Sequence, residues 1–106
     1  SYIYRRVEMT LITPQTNPND TLVYSKNDCV KCKQTKKIMD MKHVPYVEIN
    51  IQESEYFDEY IEFLKSGAGA LAMPVVYPAV QYNMEPWNDF KPQNINTLAL
   101  KVQGNG

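Results

Sequence analysis

The feature that most constrains the fold of this chain is its only cysteine pair, Cys29 and Cys32, which has two residues between its members. A disulfide between residues this close encloses too short a loop to stabilise a fold by restricting the unfolded chain. The pair lies between a β-rich segment, 21–25, and an amphipathic segment that begins near Cys32. The sequence therefore predicts a strand that runs directly into a helix, with the cysteines placed for local chemistry at the junction.

The hydrophobic periodicity along the chain predicts the element order β-α-β-α-β-β-α. Strands are predicted over 21–25, 46–51, 75–77 and 79–82, the last as the hairpin partner of the third. Helices are predicted over about 29–42, about 53–65, and from Pro92 through Ile95, Leu98, Ala99 and Val102. Gly67 follows the second helix as a predicted C-cap. This order packs as an α/β fold, a four-stranded mixed sheet flanked by three helices.

Length and composition indicate one folded domain. The 106 residues are 43% hydrophobic, which suits a single core, and residues 1–20 predict an N-terminal arm ahead of a domain over 21–103. The formal net charge of -1 gives no overall attraction to nucleic acid or to an anionic membrane. The apolar runs are too short to span a bilayer, and the N-terminus does not resemble a signal peptide. We therefore expect a cytoplasmic protein without nucleic acid or membrane partners.

The cysteine pair has the spacing of a redox dithiol. Such a dithiol needs one thiolate that attacks a disulfide and a second thiol that resolves the mixed disulfide. Because a helix N-terminus stabilises negative charge, we expect Cys29 to have a lowered pKa and to attack, and Cys32 to resolve. Six lysines against two aspartates over residues 26–42 also favour a thiolate. A pair of this spacing near a β-α-β pattern itself indicates redox function.

Metal binding is the alternative use of the two cysteines. Zinc usually takes four ligands, and His43 is the one further ligand of a common kind, so the sequence favours redox chemistry and assigns no metal ligand. We expect His43 to be a solvated loop residue. A metal or iron–sulfur site shared between two chains remains an alternative.

Met73 and Pro74 precede a buried strand, where a cis proline would expose a backbone edge to a partner beside the thiols.

Three segments of the chain form a recognisable set: T-L-V-Y-S-K-N-D-C-V-K-C at 21–32, M-P-V-V at 73–76, and W-N-D-F-K-P at 87–92. Together they resemble the NrdH-type redoxins, which are glutaredoxin-like proteins that behave like thioredoxins. The resemblance covers about residues 21–102 and implies a thioredoxin fold with Cys29 and Cys32 as the redox dithiol. It also implies that substrate or partner contacts are made or supported by Val30, Lys31, Met73, Pro74, Trp87, Phe90 and Lys91.

The resemblance implies a dithiol–disulfide oxidoreductase that carries electrons and binds no cofactor. Thioredoxin reductase would reduce it, with NADPH as the ultimate source, and it would donate to a class Ib ribonucleotide reductase. We expect a monomer. We also expect weak or no glutathione binding, because residues 77–86 lack the Gly-Gly pair of ordinary glutaredoxins. The alternatives are a glutathione-dependent glutaredoxin and a non-enzymatic redox-sensing or metal-binding module.

Overall fold

A computed structural model describes residues 11–68 and 72–104, and this part of the chain holds four strands and three α-helices. We label them in chain order β1 (Leu22–Ser25), α1 (Val30–Met41), β2 (Val47–Asn50), α2 (Phe57–Ala68), β3 (Val75–Tyr77), β4 (Trp87–Asn88) and α3 (Pro92–Val102). Single 3₁₀ turns follow β2 and β3, at Ile51–Glu53 and Val80–Tyr82. The predicted order β-α-β-α-β-β-α and the thioredoxin-type mixed sheet are confirmed.

The sheet has the strand order β2-β1-β3-β4, so the strand that leads to the cysteines is central. β1 pairs parallel with β2, and β3 pairs antiparallel with both β1 and β4. All four residues of β1 are buried, because helices cover both faces of the sheet and leave neither face of a central strand to solvent.

The sheet divides the buried side chains into two clusters, since neighbouring residues of a strand point to opposite faces. One cluster contains Leu22, Tyr24 and Val75 and extends to both cysteines and to α2. The other contains Val23, Val76 and Trp87 and extends to α1 and α3. The cysteine pair thus belongs to the α2 side of the sheet, although the helix that it begins packs on the other side.

Helices α1 and α3 each bury one stripe, as the sequence predicted. Thr35 and Met39 of α1 are fully buried. The buried residues of α3 are Ile95, Leu98 and Ala99, and Pro92 occupies its first turn, where the missing N–H costs nothing.

The second helix begins later than predicted. The sequence predicted a helix from about residue 53, but Ile51–Glu53 forms the 3₁₀ turn and α2 begins at Phe57. The side chain of Asn50 accepts a hydrogen bond from the Gln52 N–H at 3.0 Å and so favours a short turn at the end of β2. The predicted C-cap at Gly67 is also wrong, because Gly67 lies inside α2.

The predicted strand over 79–82 is wrong as well. The segment forms a 3₁₀ turn, and the partner of β3 is β4, with Trp87 opposite Val76. Hydrogen bonds explain the difference: the Ala79 N–H donates to the Thr21 hydroxyl at 3.1 Å, and the Val80 N–H donates to the Pro18 carbonyl at 2.8 Å. These bonds direct the backbone away from β3.

Residues 11–20 of the predicted arm are attached to the domain, whereas residues 1–10 lie outside the described part of the chain. The Ile12 N–H donates to the Tyr60 hydroxyl at 2.9 Å, and the Tyr24 hydroxyl donates to the Ile12 carbonyl. Leu11 and Ile12 also pack against the cluster that contains the cysteines. No helix in the described ranges has both the length and the apolar character needed to cross a bilayer.

Candidate active site

Cys29 and Cys32 form a disulfide at the N-terminus of α1, with their Cα atoms 5.2 Å apart. Cys29 is the N-cap residue: its backbone is extended and its Sγ accepts a hydrogen bond from the Cys32 N–H at 3.1 Å. The Cys29 carbonyl accepts the first helical bond, from the Lys33 N–H. The predicted strand-to-helix junction therefore places the Cys29 sulfur against the free N–H groups of a helix.

The two cysteines differ in accessibility. Cys29 is 7% exposed and Cys32 only 1%, so an incoming thiol or disulfide meets Cys29 first. After reduction, the N-terminal N–H groups and the helix dipole stabilise a thiolate on Cys29. Cys32 lies one turn inside, within reach of the same sulfur. This geometry suits attack by the first cysteine and resolution by the second.

A polar network holds the loop that leads from β1 to Cys29. The Asn27 N–H donates to the Gln52 side chain at 2.8 Å, and the Asn27 side chain donates to Glu53 at 2.9 Å. Asn50 in turn donates to the Asn27 side-chain oxygen at 2.9 Å. Asp28 adopts a left-handed backbone with φ 54°, which aspartate tolerates better than most residues. The loop before Cys29 is thus hydrogen-bonded to the end of β2 and to the 3₁₀ turn that follows it.

Met73 and Pro74 are buried beside the disulfide, and the peptide bond between them is cis. Met73 belongs to the same cluster as both cysteines, so the structure brings this segment to the site, as the sequence predicted. Pro74 leads directly into β3.

The structure also brings Asp89 to the site, which the sequence analysis did not assign. Its Oδ1 lies 2.9 Å from the Lys31 Nζ, in the turn that carries the cysteines. Its N–H donates to the carbonyls of Pro74 and Ala72, at 2.8 and 3.2 Å. Asp89 therefore touches the cysteine turn and the cis-proline loop together. A left-handed residue after a short strand is a position that aspartate favours, but no sequence signal pairs it with Lys31.

The other predicted contact residues occupy different environments. Val30 is 67% exposed and presents apolar surface next to Cys29. Trp87 is buried in the cluster on the other face of the sheet, so any effect on a partner passes through the packing. Phe90 is half-buried, and Lys91 is exposed as the N-cap residue of α3. His43 is an exposed loop residue with φ 59°.

One ion pair joins α1 to the sheet below the cysteines. The Glu48 carboxylate accepts hydrogen bonds from Lys36 at 2.8 Å and from the buried Ser25 hydroxyl at 2.7 Å. Partial burial opposes ionisation of Glu48, but the bonds from Lys36 and Ser25 outweigh it and hold the pKa of the carboxyl below its ordinary value.

No set of three or more histidine, cysteine, aspartate or glutamate side chains able to hold a metal occurs among the residues described.

Comparisons of this chain with a family model, with curated relatives and with solved structures agree on one family. The glutaredoxin family model matches residues 21–79. The glutaredoxin-like protein NrdH of Lactococcus lactis, in two strains, is 40% identical over 55 residues, which cover 51% of this chain and 69% of that protein. The structure of the NrdH-redoxin from Escherichia coli, described as having a thioredoxin-like activity profile, matches with a TM-score of 0.60 at 30% identity, covering 72% of this chain and 90% of that one.

A more distant structure supports the fold alone. The glutaredoxin from Archaeoglobus fulgidus matches with a TM-score of 0.68 at 21% identity and covers 85% of this chain and 96% of that one.

Proposed function

This chain belongs to the glutaredoxin family as an NrdH-like thiol–disulfide oxidoreductase, and on that premise we propose that it is a dithiol electron carrier reduced by thioredoxin reductase. Its electrons then come from NADPH through the reductase, and its acceptor is the disulfide of a class Ib ribonucleotide reductase in the cytoplasm. We propose that it works as a monomer with no bound cofactor. The observation that carries the proposal is the Cys29–Cys32 disulfide at the N-terminus of α1, with Cys29 the more accessible of the two, next to the cis-proline loop.

The reaction follows from the geometry of the two cysteines. In the reduced protein, the Cys29 thiolate attacks one sulfur of the acceptor disulfide, forms a mixed disulfide and releases the other acceptor sulfur as a thiolate. Deprotonated Cys32 then attacks the Cys29 sulfur, which restores the Cys29–Cys32 disulfide and releases the second acceptor thiol. Two electrons pass from the dithiol to the acceptor. The reductase returns two electrons and two protons in the next cycle.

Two observations favour thioredoxin reductase over glutathione as the electron source. The Escherichia coli relative is itself described as having a thioredoxin-like activity profile. In addition, residues 77–86, which would correspond to the glutathione-binding stretch of ordinary glutaredoxins, contain no Gly-Gly pair. The glutathione-dependent reading is therefore the alternative to test.

The test measures NADPH oxidation by the full chain in two parallel assays. One contains thioredoxin reductase and a disulfide acceptor, and the other contains glutathione, glutathione reductase and the same acceptor. We expect turnover that saturates with the chain in the first assay and at least about tenfold less in the second. The reverse result would replace this proposal by the glutaredoxin reading, and absence of turnover in both would favour a sensing or metal-binding role.

Cysteine variants test the assigned order of attack. Cys32→Ser should trap a mixed disulfide between Cys29 and the acceptor, which is detected as a covalent adduct by mass spectrometry. Cys29→Ser should form no such adduct and should abolish turnover. A trapped adduct on Cys32 in the Cys29→Ser variant, with no adduct in Cys32→Ser, would show that the order is reversed.

A further inference from the structure

Asp89 is held rigidly at the edge of the disulfide site. Its φ of 73° lies in the left-handed region, which residues other than glycine, asparagine and aspartate rarely adopt. Its N–H donates to two carbonyls of the loop that carries Met73, those of Pro74 and Ala72. Because Met73 packs in one cluster with both cysteines, these bonds fix the Asp89 backbone relative to the sulfur atoms.

The Asp89 carboxylate binds two donors, the Phe90 N–H and the Lys31 ammonium. Its Oδ1 accepts from the Phe90 N–H at 2.7 Å and lies 2.9 Å from the Lys31 ammonium. Lys31 stands between the two cysteines in sequence, so its charge lies in the turn that a substrate must approach. The bond from Lys31, followed by that from Phe90, lowers the pKa of the Asp89 carboxyl, which is therefore ionised at neutral pH.

The exposure of this pair argues for an effect on substrates rather than on stability. The Lys31 and Asp89 side chains are 57% and 39% exposed. Solvent-exposed ion pairs stabilise a fold little, whereas charges at the rim of a contact surface act on the approach of charged partners. Lys91, which follows the same turn, and Lys33, on α1, are exposed as well, and neither has an ion-pair partner among the residues described.

We propose that Asp89 is a specificity-determining residue of the dithiol site, which selects against small anionic disulfides by neutralising Lys31 and occupying the Phe90 N–H. A disulfide that carries carboxylates finds the Lys31 ammonium and the Phe90 N–H already bound to the Asp89 carboxylate. A neutral disulfide loses nothing by this arrangement. The inference rests on the proposed function, because it concerns which disulfides the Cys29 thiolate attacks.

The test uses three small disulfides of similar size and different charge. They are the dianion of 3,3′-dithiodipropionic acid, neutral bis(2-hydroxyethyl) disulfide and dicationic cystamine. The pre-reduced full chain is mixed with each, and its oxidation is followed by alkylation and mass spectrometry to give second-order rate constants. The readout is the rate constant for each charged disulfide divided by that for the neutral one, which removes any change in the intrinsic reactivity of Cys29.

Asp89→Asn is the main variant, because asparagine tolerates the same backbone and its side-chain oxygen still accepts from Phe90. We expect the dianion-to-neutral ratio to rise by about threefold, which is the effect of one unit charge at roughly 6 Å in a medium close to water. The ratio for cystamine should fall. Asp89→Gly also releases the Phe90 N–H and should raise the dianion-to-neutral ratio at least as much.

Two further variants separate this role from a general effect of charge. Lys31→Gln should lower the dianion-to-neutral ratio, and Asp89→Asn in that background should raise it by less than in the wild type. Glu62→Gln removes one negative charge from the exposed surface of α2 and should leave the ratio unchanged. A ratio in folded Asp89→Asn that matches Glu62→Gln would overturn the inference. Failure of the wild type to reduce even the neutral disulfide would instead overturn the proposed function.

Discussion

The hydroxyl of Tyr77 lies 2.5 Å from the position that a Cβ atom on Gly67 would take. The Tyr77 ring is itself fixed, with its centroid 5.9 Å from that of Tyr24 and 5.5 Å from that of Phe63. Tyr77 of β3 lies against the turn of α2 that contains Gly67, and only a residue without a side chain leaves room there for the tyrosine oxygen.

This contact predicts that Gly67→Ala changes the free energy of unfolding in opposite directions in the wild type and in Tyr77→Phe. Gly67→Ala in the wild type should lower the free energy of unfolding by about 1 kcal/mol or more, because the clash outweighs the better helix propensity of alanine. In Tyr77→Phe, where the nearest ring carbon is 3.8 Å away, the same change should raise it by about 0.5–1 kcal/mol. Urea unfolding followed by circular dichroism measures both. Equal effects in the two backgrounds would contradict the proposed contact.

A second prediction concerns the hydroxyl of Thr35. Thr35 is fully buried in α1, and its Oγ1 has no hydrogen-bond partner among the residues described. Thr35→Val keeps the shape and removes an unsatisfied polar atom, so we expect the reduced protein to gain about 1 kcal/mol in free energy of unfolding.

The matched control for Thr35→Val lies on α3. The Thr97 hydroxyl is exposed and donates to the Gln93 carbonyl at 3.1 Å, so Thr97→Val should be close to neutral or slightly destabilising. A loss of stability in Thr35→Val larger than that in Thr97→Val would show that the buried hydroxyl is satisfied.

The lowered pKa of Glu48 predicts that the stability of the folded protein depends on pH in the acid range. Its pKa in the folded protein lies below the ordinary 4.5, so the unfolded chain binds the proton more readily. The stabilisation is therefore complete above about pH 5 and disappears as the pH falls through the lowered folded pKa. Glu48→Gln should flatten the decline of stability below pH 5 and cost little at pH 7, because the pair with Lys36 is partly exposed. Thermal unfolding at several pH values tests this, with Glu62→Gln as the control; identical acid profiles for both variants would contradict it.

The raised pKa of Tyr24 predicts that the stability of the folded protein depends on pH in the alkaline range. Burial, with smaller effects from Tyr60 and Tyr77, raises the pKa of the Tyr24 hydroxyl far above its ordinary 10.0. Stability is therefore complete below about pH 10 and falls at higher pH, where the unfolded chain ionises first. Tyr24→Phe should remove much of this alkaline decline and cost about 1 kcal/mol at pH 7 through loss of the bond to the Ile12 carbonyl. The same alkaline slope in both proteins, measured by urea unfolding, would refute the assignment.

Local patterns predicted the fold and the position of the cysteine pair because both depend on short-range chemistry. The strand before Cys29 and the helix after it follow from residue type and periodicity within about 20 residues. The failed predictions depended on distant contacts. The segment over 79–82 turns away because Thr21 and Pro18 bind its backbone, and the need for a glycine at position 67 comes from its contact with Tyr77.

The candidate site divides in the same way. The position of Cys29 and Cys32 and the presence of the Met73–Pro74 segment beside them were predictable from motifs, whereas the cis geometry of that segment was not decided by the sequence. Asp89 was not, because its position at the site depends on an ion pair with Lys31, 58 positions earlier in the chain. The environment of Trp87 also depends on the whole sheet, which places the ring on the face opposite the cysteines.

That placement of Trp87 determines what an optical measurement on this protein can detect. It is the only tryptophan in the chain, and the sheet separates it from the cluster that contains the disulfide. Quenching of indole emission by a disulfide needs near contact, so we expect the intrinsic fluorescence to change little on reduction and strongly on unfolding. The tryptophan emission of the native protein thus reports whether the chain is folded. A dye or an added indole near Val30 is needed to follow the redox state of the Cys29–Cys32 pair.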